Sequence, residues 1–128
     1  MPLNVIYRKE RARMTSFASA FPLLPGKAEQ WKRFNREMTG SRRSEFDAFL
    51  QRQGVTREVV ALQQTPQGDM VVVYFEAPDI AHAFEVLGSS QDPFDVWFRE
   101  QAKDTTGIDF LQATPGPLPE IYIDWQAG

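Results

Sequence analysis

Six consecutive apolar or aromatic residues, Met70-Val71-Val72-Val73-Tyr74-Phe75, stand between Asp69 and Glu76. Three are β-branched, and an apolar run of this length bounded by acidic residues matches a strand buried on both faces. A central strand needs a neighbour on either side and a layer to cover it, so the remaining segments are read as suppliers of both.

The neighbour that precedes it spans residues 57–65, and Thr65-Pro66-Gln67-Gly68 makes the turn between them. Proline cannot take the positive φ of a primed two-residue turn, so a type I turn at Pro66-Gln67 with Gly68 left-handed is expected, giving a three-residue loop. Pairing Thr65 with Asp69 then sets Glu58, Val60, Leu62 and Gln64 beside Glu76, Tyr74, Val72 and Met70 on one face. Val59 and Ala61 join Val71, Val73 and Phe75 on the other.

Upstream, Phe17, Ser19, Phe21 and Leu23 alternate with Ala18 and Ala20 until Pro22 and Pro25, which predicts a first strand. Trp31, Phe34, Met38, Phe46, Phe49 and Leu50 then recur at helical spacing, with Lys32, Arg33, Arg36 and Arg43 on other faces. Gly54 is placed as the residue closing this helix. Thr39-Gly40-Ser41 interrupts its middle, where glycine costs about 1 kcal/mol relative to alanine, and a kink or break is expected there. Downstream, Asp79 is the expected N-cap of a helix carrying Ile80, Ala83, Phe84 and Leu87, and Gly88-Ser89-Ser90 stops it. Asp92-Pro93 opens another in the order N-cap then proline, with Phe94, Trp97 and Phe98 on one face and Gly107 at its end. Residues 110–114 are read as a fourth strand. Pro115, Pro117 and Pro119 form a stiff connector to an arm in which Ile121, Ile123 and Trp125 share a face.

Residues 1–13 lack an apolar period and are assigned as an appendage, leaving one domain over 14–114 and the arm over 115–128. Strand, helix, strand, hairpin strand, helix, strand is an α+β arrangement of the ferredoxin-like βαββαβ type. It predicts a four-stranded antiparallel sheet with the helices on one face and the first and third strands central. The face left without helices would be too apolar for water, so a homodimer is expected.

Charge and composition narrow the function classes. Residues 1–52 hold 11 Lys and Arg against 5 Asp and Glu, whereas residues 53–128 hold 3 against 12. An acidic whole with pI near 5.1 is nonetheless a poor polyanion binder, so no nucleic-acid partner is expected. No stretch is long and apolar enough for a bilayer, and no membrane partner is expected. The absence of cysteine removes disulfides, thiolate ligands and thiol nucleophiles and is compatible with a reducing compartment, so the cytoplasm is the default expectation. With one histidine, His82, no metal site is expected, and phosphate-binding and dinucleotide fingerprints are missing, so no cofactor is expected. His82 falls opposite the apolar stripe of its helix and is read as exposed.

Several segments carry a resemblance. Leu24-Pro25-Gly26-Lys27, Thr56-Arg57-Glu58, the run from Leu62 to Asp69, and Asp92-Pro93-Phe94-Asp95 with Trp97-Phe98 resemble a family of small uncharacterised proteins in the dimeric α/β barrel superfamily. The resemblance covers most of residues 15–125. It implies a homodimer whose two sheets face each other around a central barrel. It leaves activity open, because the superfamily includes antibiotic-biosynthesis monooxygenases, muconolactone isomerases, haem-degrading monooxygenases and proteins without known activity.

Glu58, Gln64, Tyr74 and Glu76 are the candidate ligand-binding residues, since the expected register gathers these polar tips on the helix-free face. Inside a dimer barrel they would either satisfy interface hydrogen bonds or surround a small organic molecule, with burial raising the Glu58 pKa toward that of a general base. A barrel that binds a small organic ligand is the leading reading. A non-enzymatic interaction protein with a filled barrel, and a cofactor-independent monooxygenase or isomerase, are the alternatives. No residue is assigned as catalytic, and whether the chain is an enzyme stays open.

Overall fold

A computed structural model describes residues 14–112 and 118–128. Its elements are β1 (Thr15–Pro22), α1 (Ala28–Thr39), α2 (Arg43–Gln53), β2 (Arg57–Thr65), β3 (Gly68–Ala77), α3 (Ile80–Ser89) and α4 (Pro93–Thr106), in that order. The apolar run of 70–75 lies in β3, the middle strand of an antiparallel sheet ordered β1-β3-β2. The expected appendage over 1–13 lies outside the described residues.

The four-stranded ferredoxin-like βαββαβ sheet is not what forms. Among the described residues there are three strands and four helices in the order β-α-α-β-β-α-α, and β1 is an edge strand rather than a central one. The reason is local to Asp109. Its carboxylate accepts the Leu111 N–H at 3.1 Å, and its carbonyl accepts the Gln112 N–H at 3.2 Å. An Asx turn thus bends the chain where residues 110–112 were expected to extend. Ala113 and Thr114 lie outside the described residues.

Local signals fare better because each is decided by a few neighbours. The first helical region breaks after Thr39, as the glycine predicted, and resumes at Arg43. Gly54 and Gly107 close α2 and α4 in the left-handed region. Asp79 caps α3 by accepting the His82 N–H, and Asp92 caps α4 by accepting that of Phe94, each at 3.0 Å. Gly88 sits inside the last turn of α3 because a Cβ there would come within 2.7 Å of the Phe110 carbonyl oxygen.

The hairpin register departs from expectation by one residue, with wide consequences. Thr65 pairs with Gly68, so the loop has two residues, and Glu58 stands opposite Phe75, Val60 opposite Val73 and Leu62 opposite Val71. Pro66 and Gln67 keep negative φ, while Gly68 adopts φ +126° and still joins the strand. The Thr65 hydroxyl donates to the Gly68 carbonyl at 2.6 Å and accepts the Gln67 N–H at 3.2 Å. Side chains alternate along a strand, so a one-residue shift moves every β2 residue to the opposite face relative to β3.

All four helices lie on the face carrying Phe17, Phe21, Leu62, Val71, Val73 and Phe75. Against these strand residues pack Trp31, Phe34 and Met38 of α1, Phe49 of α2, Leu87 of α3 and Phe94 of α4. Ring contacts link the helices to each other, with Phe49 centred 4.5 Å from Phe98 and Phe34 5.2 Å from Trp97. Each fully buried side chain of this kind contributes roughly 1.5–3 kcal/mol. Arg52 of α2 binds the buried Asp95 of α4, its Nε 3.1 Å from Oδ2, which ties the two helical pairs together. No helix among the described residues is long and apolar enough to cross a membrane.

Candidate functional site

Between the sheet and the helices lies a cavity of about 950 Å³, at the upper end of the range that small-molecule sites occupy. β1 and β3 supply Phe17, Val73 and Phe75, β2 supplies Val60 and Leu62, and Trp31, Phe46 and Phe84 come from the helices. Burial on the helix side falls from the middle strand to the β2 edge, from 2 % exposure at Val71 to 38 % at Val60. The cavity therefore opens along β2, and Leu118 and Pro119 return the chain to its wall.

Glu58 is in this cavity. Strand alternation fixes the side it faces, since Glu58, Val60 and Leu62 occupy every second position of β2 and stand opposite Phe75, Val73 and Val71. Among the described residues its carboxylate has no hydrogen-bond or ion-pair partner. Burial pushes its pKa up from 4.5 to about 7, with no cation near enough to bring it down. This is the expected consequence of removing a carboxylate from water into apolar surroundings.

The four candidates do not gather on one face. Gln64 shares the Glu58 side but is six residues away, about 20 Å along a strand. There it is exposed at the hairpin end opposite Asp69. Tyr74 and Glu76 lie on the open face, across the sheet from Glu58. The Tyr74 hydroxyl donates to Glu76 Oε1 at 3.0 Å and lies 3.2 Å from the Ser16 hydroxyl, which donates to Asp124 Oδ2 at 2.7 Å. With each hydroxyl proton given to a carboxylate, the 3.2 Å contact between the two hydroxyls has no proton of its own. The register slip accounts for the division between faces: the expected pairing would have put all four on one face, with Gln64 still at the hairpin end.

The cavity includes polar residues that were not candidates. Ser19 lies between Phe17 and Phe21 on β1, where the alternation already placed it, and carries no hydrogen bond among the described residues. The buried Gln53 of α2 donates its amide to the Phe49 carbonyl at 3.2 Å. No sequence motif marks Gln53, since it lies one turn beyond Phe49 and acts through its own helix backbone. At the rim, Arg43 pairs with Asp47 at 2.9 Å and Lys32 with Glu29 at 3.3 Å. His82 is exposed on α3, away from the cavity. Among the described residues, no three of His, Cys, Asp and Glu stand together as a metal site would require. The chemistry on offer is one carboxyl group, poised to change charge near neutrality, inside an aromatic and aliphatic chamber.

A family model matches residues 14–116, that of a family of unknown function designated DUF6176. Neither a curated protein nor a solved structure matches the chain.

Proposed function

The chain belongs to the family of unknown function matched over residues 14–116, and from its geometry we propose that it binds a small, mainly apolar organic molecule between sheet and helices. The observation that carries this reading is the unpartnered Glu58 carboxyl facing an open, apolar-walled cavity. A core that served stability alone would be filled, because protein interiors are close-packed and each void costs stability. An isolated carboxyl group inside it would be costly as well. The site is on the helix side, so ligand binding needs no barrel between sheets.

Adjacent substitutions on opposite faces of β2 test the location. The probe is the neutral dye N-phenyl-1-naphthylamine, whose fluorescence rises on leaving water. It is expected to bind the wild-type chain at one equivalent. Val60→Trp places an indole at the mouth and is expected to abolish binding, while Val59→Trp, one residue away on the open face, leaves it intact. Both positions are exposed, so neither variant threatens the core. The opposite pattern, or an absence of dye binding to the wild type, would overturn the reading.

We also infer that the open face of the sheet is covered by a second copy of this chain. Its support is self-complementarity. The face mixes apolar Val59, Val72 and Met70 with a cation, Arg57, and an anion, Glu76, which are cross-strand neighbours. A two-fold axis lets such a patch meet its own copy with charges opposed. Light scattering should report twice the 14.6 kDa protomer mass, and Val72→Asp should return that value to one protomer without loss of helix content.

A further inference from the structure

We infer that the molecule held in the cavity is an organic cation, an alkyl or aryl amine whose ammonium group lies between Glu58 and an aromatic wall. This rests on the cavity being a binding site and adds the chemical class of its occupant.

The wall follows from strand register. Glu58, Phe75 and Phe17 form one cross-strand row, so the carboxylate is the end of a row whose next two members are phenyl rings. Those rings stack with centroids 5.0 Å apart, and Phe84 of α3 meets both, its centroid 5.1 Å from Phe17 and 5.9 Å from Phe75. All three rings line the cavity. Ring faces attract a cation through their quadrupole, most strongly where water is excluded. A carboxylate beside them supplies the charge-assisted hydrogen bond that an ammonium N–H completes. An acid with no protein partner among the described residues is one half of an ion pair that a cationic ligand would complete.

The other charges around the cavity argue for the same division. Asp47 is neutralised by Arg43, and Lys32 by Glu29. Arg36 is exposed at the rim, where water screens it, and Arg57 alternates with Glu58 and stands on the open face beside Glu76. Among the described residues that line the cavity, Glu58 is the ionisable group that faces inward without a partner, so the interior favours positive charge even though the rim is basic.

Displacement of N-phenyl-1-naphthylamine by octylamine, 1-octanol and octanoate at pH 7.5 tests the inference. The three share a chain length and differ in head-group charge. Octylamine is expected to displace the dye at a concentration at least about tenfold below that of 1-octanol, with octanoate weakest. In Glu58→Gln, with each displacement expressed against that variant's own dye affinity, octylamine and 1-octanol should come within about twofold of each other. Phe75→Leu should narrow the preference only in part. Equal displacement by octylamine and 1-octanol, or better displacement by octanoate, would overturn the amine assignment and leave the cavity as a binding site. Failure of the dye to bind the wild type would remove the site and the assignment together.

Discussion

At the residue scale, Glu58 sets stability against pH in a direction opposite to that of most acidic side chains. Its pKa is about 7 in the folded protein against 4.5 for an ordinary glutamate. Below pH 4.5 the group is protonated in both states and its contribution is fully present. Between 4.5 and 7 the unfolded chain gives up a proton that the native protein keeps, so stability falls as pH rises, and the loss is complete above 7. The span corresponds to about 3 kcal/mol. Comparing melting temperatures of the wild type and Glu58→Gln from pH 4 to 8 should therefore show the variant overtaking the wild type as pH increases. Parallel curves would mean that the carboxyl group is solvated. Arg42 is a second residue with a definable role. Its guanidinium lies 4.2 Å from the Trp97 ring centre and 4.9 Å from that of Phe94, and it grips Glu45 with two hydrogen bonds of 3.0 and 2.9 Å. A lysine keeps the charge but neither the flat stacking surface nor the fork. Arg42→Lys should lower stability in urea by about 1 kcal/mol.

Elements whose limits depend on neighbouring residues are legible in the sequence. β1 and β2, the break after Thr39, and the Asp79 and Asp92 caps follow from alternation, glycine and side-chain acceptors within a few positions. What was not legible depended on a single dihedral or a single turn. Gly68 at φ +126° shortened the hairpin loop by one residue and exchanged the faces of β2. The set Glu58, Gln64, Tyr74 and Glu76, gathered on one face by the expected register, was dispersed by parity. Asp109 supplied a turn in place of the fourth strand, a signal that competed with an apolar pattern only three residues long. The cavity had no sequence signature, because empty space is a property of how α1 and α2 stand off from β2. Gly88 provides an element-scale test. Alanine would gain about 1 kcal/mol in helix propensity, yet its Cβ would meet backbone at Phe110, which cannot rotate away. Gly88→Ala should consequently destabilise by roughly 1–3 kcal/mol, read by urea denaturation. A more stable variant would show that the 108–112 loop yields freely.

For the whole molecule, the balance lies between a protomer that exposes apolar groups and an assembly that covers them. Ile121, Ile123 and Trp125, which the sequence places on one face of the arm, are 39, 85 and 80 % exposed in the protomer. Yet the arm is not detached. Asp124 takes a hydrogen bond from Ser16, which places the arm beside β1, whose outer edge has no strand partner among the described residues. An edge with free N–H and C=O groups, next to large apolar side chains and an open sheet face, is a surface that another chain can complete. If a second copy does so, the arm contributes to association rather than to folding. Removing residues 118–128 should then weaken the dimer, so that dilution from 100 to 1 µM dissociates the shortened chain while the full chain holds. The melting temperature of the full chain should rise with concentration and that of the shortened chain should stay flat, because only an associating native state is stabilised by mass action. Tyr122→Ala should change either measure less than Trp125→Ala, since Trp125 has the larger apolar surface to bury. A shortened chain that associates as tightly as the full one would assign the arm no part in assembly, and would leave the open sheet face to hold the dimer through Val59, Met70 and Val72 alone.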